Sequence, residues 1–125
     1  MSAAESLEVA EKLFAAIPRG DLEAVRALYA PDAAIWHNHD GVTQDAPSNL
    51  RVLDWVVRNI HELRYEEIRR QATPTGFVQQ HVLRGRGPSG KPVEIAACIV
   101  CAVSGGRITR LDEYLDSARL SALAP

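Results

Sequence analysis

The sequence predicts an α+β fold in which three helices and one early strand precede four antiparallel strands. Three observations carry that prediction. Apolar residues recur at helical spacing through the first sixty positions, broken once by a short β-type run. From Ile60 onward the texture changes to strands, some of them alternating with period two, and the strands there are separated by turns bearing Gly and Pro. A chain of 125 residues is one domain, able to bury roughly two-thirds of its unfolded surface without staples.

Each element has its own signal. Between Ser6 and Ile17, the residues Val9, Ala10, Leu13, Phe14 and Ile17 form one helical stripe, which Pro18 and Gly20 end. Asp21 is placed to cap a second helix with Leu22, Val25, Leu28 and Tyr29 inward, closed by Pro31. The run Asp32-Ala-Ala-Ile-Trp-His-Asn-His-Asp-Gly41 is a strand that carries polar groups to the edge of a turn. Alternation puts Ile35, His37 and His39 on one face and Ala34, Trp36 and Asn38 on the other, and either face can line an interior. A polar loop over residues 41–46 leads to Pro47 at a first helical position. The third helix then aligns Leu50, Leu53, Val56, Val57 and Ile60, with Trp55 off that stripe.

The strands follow. Leu63 to Ala72 is charged and weakly alternating, and its Glu66-Glu67 and Arg69-Arg70 pairs read as a solvated face or as ion pairs at a dimer rim. Phe77 to Arg86 sets Phe77, Gln79, His81 and Leu83 on one face. Val93 to Val103 is apolar on both faces and hence central in its sheet. Arg107 to Leu115 and a short helical tail complete the chain.

Composition excludes several classes. A hydrophobic content of 46%, a charged content of 24% and a net charge of −2 lack the basic excess that nucleic acid demands, so no nucleic-acid partner is expected. No apolar run reaches membrane-span length and the N-terminus lacks a leader pattern, which together predict a cytoplasmic protein with no membrane partner. Cys98 and Cys101 have redox spacing but fall in a strand, where three residues point them to opposite faces about 10 Å apart. The run Gly85-Arg-Gly-Pro-Ser-Gly90 matches a dinucleotide fingerprint, yet a strand and not a helix follows it, so it reads as a hairpin turn. His37, His39, His81 and Glu113 are a conceivable zinc set, but residues two apart on a strand lie roughly 6 to 7 Å apart. No metal or cofactor is expected.

The element order, with Gly20-Asp21-Leu22, Tyr29-Ala-Pro-Asp32, Gly106-Arg-Ile-Thr109 and Asp112-Glu-Tyr-Leu-Asp116, resembles the nuclear transport factor 2-like superfamily over nearly the whole chain. Within it the sequence is similar to the SnoaL-like proteins and limonene epoxide hydrolase, and more distantly to ketosteroid isomerase. The resemblance implies a cone-shaped, curved mixed or antiparallel sheet wrapped around the three helices, a deep apolar pocket at the wide end, and a homodimer through the outer sheet face. It implies fold more than reaction, since one fold hosts many chemistries.

The resemblance also places candidate residues. His37, or Asn38 if the strand shifts by one, falls where the isomerase has its aspartate base and the hydrolase a water-binding asparagine. His81 and Glu113 fall at the hydrolase's two catalytic aspartates, with Gln79 at its arginine; a count from the Gly90 turn would choose Gln80 and Val82 instead. The isomerase's oxyanion-hole tyrosine falls at Leu13 or Phe14 and its acid near Ile99, so neither named mechanism transfers intact. Chemically, a carboxylate beside an imidazole is a competent acid/base pair near neutral pH. His81, Glu113 and His37 are therefore the candidate catalytic residues. Trp36, Asn38, Gln79, Phe14, Ile95 and Leu111 are the candidate contacts to an apolar, ring-containing substrate. Two functions follow: a cyclase, isomerase or epoxide hydrolase moving protons on such a molecule, or a non-catalytic ligand-binding or dimerisation module.

Overall fold

The structure, a computed structural model, describes residues 2–125. In chain order the elements are α1 (Ala3–Arg19), α2 (Leu22–Leu28), β1 (Tyr29–His37), β2 (Thr43–Gln44), α3 (Ala46–Asn59), β3 (His61–Thr73), β4 (Gly76–Arg86), β5 (Pro92–Ser104), β6 (Arg107–Leu115) and a C-terminal 3-10 helix, Ser117–Leu123. The strands form one curved, open, mixed sheet in the order β2-β1-β6-β5-β4-β3. Only β1 against β6 is parallel; the other pairs are antiparallel.

The apolar stripe of α1 does what its spacing predicts. Val9, Ala10, Leu13, Phe14 and Ile17 are all buried, and they meet Ile35, Phe77, Ile99 and Leu111 from the concave face of the sheet. The helix begins earlier than the stripe does, at a Ser2-Ala-Ala-Glu5 cap in which the Ser2 hydroxyl accepts from the Glu5 N–H at 3.1 Å. It also runs one residue past Pro18 before Gly20, at φ +70°, ends it and donates its N–H to the last carbonyls.

Three boundaries depart from expectation. Tyr29 is extended and not helical: it opens β1 opposite Ile108, and Pro31 sits where the β1–β6 register is interrupted, so no ladder bond is lost. Within the expected polar loop, Thr43 and Gln44 add a short edge strand to Trp36 and Ile35. The third departure positions the site. β3 begins at His61 and carries two residues at positive φ, Glu62 and Glu67, each inside a register shift against β4. Such bulges insert a residue and switch the faces beyond them, which is why the charged strand alternates so weakly. The second bulge turns Arg70 inward, opposite Gln79, correcting the expectation that Arg69-Arg70 is simply a solvated face.

Those glutamates are held from within the chain. Arg86 bonds the Glu62 carboxylate at 2.9 Å, and Arg84 gathers Glu66, Glu67 and Glu94 at 3.3, 2.6 and 3.4 Å. These pairs staple the bulges of β3 onto β4 and β5. Among the described residues no helix is long and apolar enough to cross a membrane.

Candidate functional site

The concave face of the sheet and the helices enclose a cavity of about 300 Å³. Its polar wall comes from three strands. On β1 the alternation that buries Ile35 completely sends His37 to the same inner face. The parallel register of β1 and β6 sets His37 directly opposite Glu113, and the His37 Nε2 to Glu113 Oε1 distance is 3.0 Å. Both side chains are largely sheltered, at 15% and 20% exposure. Burial opposes charge on the His37 ring, but the hydrogen bond and charge of Glu113, with Asp40 adding its charge, outweigh it and raise the imidazole above its ordinary proton affinity.

The second group of polar residues lies on β4. Gln79 is fully buried and His81 is 3% exposed, both on the inner face with Phe77. Arg70 Nε donates to Gln79 Oε1 at 2.7 Å, and Gln79 Nε2 lies 2.9 Å from His81 Nδ1. The His81 ring packs edge-on against Tyr65 and Phe14, with centroids 4.6 and 5.3 Å away. Its Nε2 atom is sealed from solvent and has no partner among the described residues. Burial drives the proton affinity of His81 down, the charge of Glu113 counters in part, and Arg70 lowers it further. One cavity thus holds two histidines whose surroundings push their protonation in opposite directions.

Apolar groups make up the rest. Leu53, Val56, Leu83 and Ile95 wall the cavity, and Trp55, Leu120 and Leu123 stand around it from α3 and the 3-10 helix. Behind it lies a narrower chamber of about 50 Å³, lined by Phe14 and Leu111 and reaching His37 and Glu113 from below. A buried chain runs beside them, in which the Tyr29 hydroxyl donates to Asn49 Oδ1 at 2.7 Å and Asn49 Nδ2 donates to Gln44 at 3.3 Å.

The structure brings Glu113, His37, His81, Phe14, Ile95 and Leu111 around this space and the chamber behind it, while Gln79 lines neither and is bonded to His81 and Arg70. Two further expectations need correction. The histidine that pairs with Glu113 is His37; His81 is bonded to Gln79 instead. Trp36 and Asn38 do not reach the cavity. Trp36 lies on the opposite face of β1, packed against Tyr114 at 5.2 Å. Asn38 instead extends the ladder: its Oδ1 accepts from the Leu115 N–H at 2.9 Å and its Nδ2 donates to the Leu115 carbonyl at 3.2 Å. Sequence reasoning missed Tyr65, Arg70 and Asn49; only the bulge geometry and the buried bond to Tyr29 reveal the last two. Among the described residues no three His, Cys, Asp or Glu side chains converge as a metal would require.

A curved open mixed sheet cradling helices is the architecture of nuclear transport factor 2-like proteins. An NTF2-like protein from Burkholderia xenovorans superposes with a TM-score of 0.80 at 23% identity, covering 99% of each chain. Residues 10–111 match the SnoaL-like domain, and the chain belongs to that family. It is similar to a loop-truncation variant of IdmH, which is a polyketide-cyclase candidate from Streptomyces antibioticus, at 25% identity over 95% of this chain and 99% of that one, with a TM-score of 0.81. It shares its fold with an LEH-like epoxide hydrolase from M. tuberculosis at 19% identity, covering 95% and 88% of the two chains with a TM-score of 0.76. No curated protein matches it significantly.

Proposed function

We propose that this protein is a proton-transfer enzyme acting on an apolar, ring-containing small molecule, of the cyclase or isomerase kind. The observation that carries the reading is the His37–Glu113 contact, 3.0 Å long and largely sheltered, on the wall of an apolar cavity that a second, buried histidine also lines. A carboxylate held against an imidazole is a competent proton-transfer pair near neutral pH. The His37–Glu113 pair takes a proton at one position of the bound molecule and returns it at another, so the chemistry needs no cofactor. Apolar walls select a hydrophobic body and keep water from competing for the proton. The resemblance to IdmH supports the cyclase form of this reading. Epoxide hydrolysis fits less well, because that mechanism uses two carboxylates around an arginine, and here a glutamine and a histidine take two of those places.

The enzyme is expected to work in the cytoplasm as a homodimer, through the outer face where Ile68, Val100 and Tyr114 leave apolar surface exposed.

The test is a panel of apolar cyclic enones, polyketide-like polycarbonyl compounds and epoxides, incubated with the protein and with Glu113→Gln and His37→Gln. At least one compound should be converted, and each substitution should slow conversion by about 10²-fold or more while the circular dichroism stays native. Tight binding without Glu113-dependent conversion would overturn the reading in favour of a ligand-binding module.

A further inference from the structure

Buried hydrogen bonds at Gln79 leave little freedom in where protons sit. An arginine Nε–H can only donate, so the Gln79 atom 2.7 Å from Arg70 Nε is the amide oxygen. That orientation turns the amide NH₂ toward His81 Nδ1, 2.9 Å away. An NH₂ group can only donate as well, so His81 Nδ1 must offer its lone pair. The ring proton of neutral His81 is therefore on Nε2. Adding a second proton at Nδ1 would set two N–H groups head to head inside a sealed site, next to an arginine.

His81 Nε2–H is consequently a donor with nothing to donate to among the described residues. A buried donor left unpaired is costly and needs an explanation. Its ring lines the same cavity as Glu113, and Tyr65, whose phenol burial keeps protonated, packs against it. Nε2 is shielded as the ring stands, so a small tilt of the ring toward the cavity must accompany binding, and an oxygen atom on the occupant would then remove the deficit.

We infer that Arg70 and Gln79 are positioning residues that lock His81 as a neutral imidazole with its proton on Nε2, and that this N–H binds an acceptor oxygen, carbonyl or enolate, on the molecule that fills the cavity. His81 then serves as a hydrogen-bond donor to developing negative charge, while the proton itself travels through the His37–Glu113 pair. A neutral donor suits that role, because a ring whose proton cannot be replaced from its other nitrogen holds the oxygen without giving up the proton. This differs from the acid/base partnership with Glu113 that the sequence suggests for His81.

The inference rests on the reading of this cavity as the reaction site. Its tests record protonation and binding, so a protein that converts nothing would sink that reading alone, and a wrong tautomer would sink this inference alone. Long-range proton–nitrogen spectra of the full chain labelled at histidine should show His81 Nε2 as the protonated nitrogen and Nδ1 as the bare one at pH 7.5. A proton on Nδ1, or a doubly protonated ring, overturns the inference. In Gln79→Glu, an acceptor replaces the NH₂ and Arg70 keeps a partner, so the His81 signature should change to a protonated Nδ1; an unchanged Nε2–H tautomer would remove Gln79 from its role.

Binding supplies the second arm, with 1-tetralone and its hydrocarbon counterpart tetralin as probes in calorimetry. The protein should prefer the ketone by about tenfold, as expected for filling one buried donor. His81→Phe, which keeps an aromatic ring against Phe14 and Tyr65, should reduce that preference to within about twofold. A ketone preference that survives His81→Phe, or no preference in the unaltered protein, counts against the donor role.

Discussion

Replacing Glu113 by Gln keeps the side chain's shape and removes its charge, so its consequences follow from one distance. Glu113 sits 3.0 Å from His37 Nε2 in a largely sheltered place. A hydrogen bond to a charged partner contributes about 1.5 to 3 kcal/mol and a neutral one about 0.5 to 1.5 kcal/mol, so the substitution should cost roughly 1 to 2 kcal/mol where His37 carries its proton. The pH dependence has a definite sign. His37 has a raised proton affinity in the folded state, so its stabilising contribution is full below the unfolded value near 6.5 and is lost as pH rises through the folded midpoint. Glu113 also counters the depression at His81, and losing that help again hurts the variant most on the acidic side. Urea denaturation of both proteins at pH 5.5, 7 and 9 measures the gap directly. The unaltered protein should lead by roughly 1 to 2 kcal/mol at pH 5.5, and the lead should shrink by pH 9. A gap that is flat, or that widens with pH, would refute the charged pairing of His37 with Glu113.

Two further outcomes are expected elsewhere in the molecule. Gly76→Ala should destabilise the fold by about 3 kcal/mol or more, because an added Cβ would collide with the Cys101 carbonyl across the β4–β5 ladder; a thermal melt within a degree of the unaltered protein would contradict the register. Sedimentation equilibrium at micromolar concentration should report a dimer, and Val100→Asp on the outer face should yield a folded monomer; a monomer before the substitution would remove the proposed interface.

Legibility in the sequence tracked how local each cause was. The α1 stripe and the β4 face of Phe77, Gln79, His81 and Leu83 could be read because each rests on a single unbroken period. Arg70 could not, since its inward turn depends on a bulge with Glu67 at positive φ, a conformation that no run of charged residues announces. The His37–Glu113 partnership was hidden for another reason. It arises where β1 lies parallel to a strand more than seventy residues away, and only the assembled sheet sets that register. Sequence chemistry therefore pairs Glu113 with His81, whereas the assembled sheet sets it against His37. Trp36 is a candidate contact only while either face of β1 can line the interior, and the alternation that brings His37 inward necessarily sends Trp36 out. Asn38 acts through its side-chain amide as one more rung of the ladder, which residue type alone does not distinguish from ligand binding.

The most direct measurement is a histidine titration by NMR on one sample, following the ring protons of His37 and His81 from acid to alkaline pH. His37 should titrate above the ordinary midpoint near 6.5 and His81 below it, so that a pH window exists in which one ring is charged and the other neutral. Coincident midpoints, or His81 holding its proton to higher pH than His37, would contradict the division of labour on which the proposed chemistry stands.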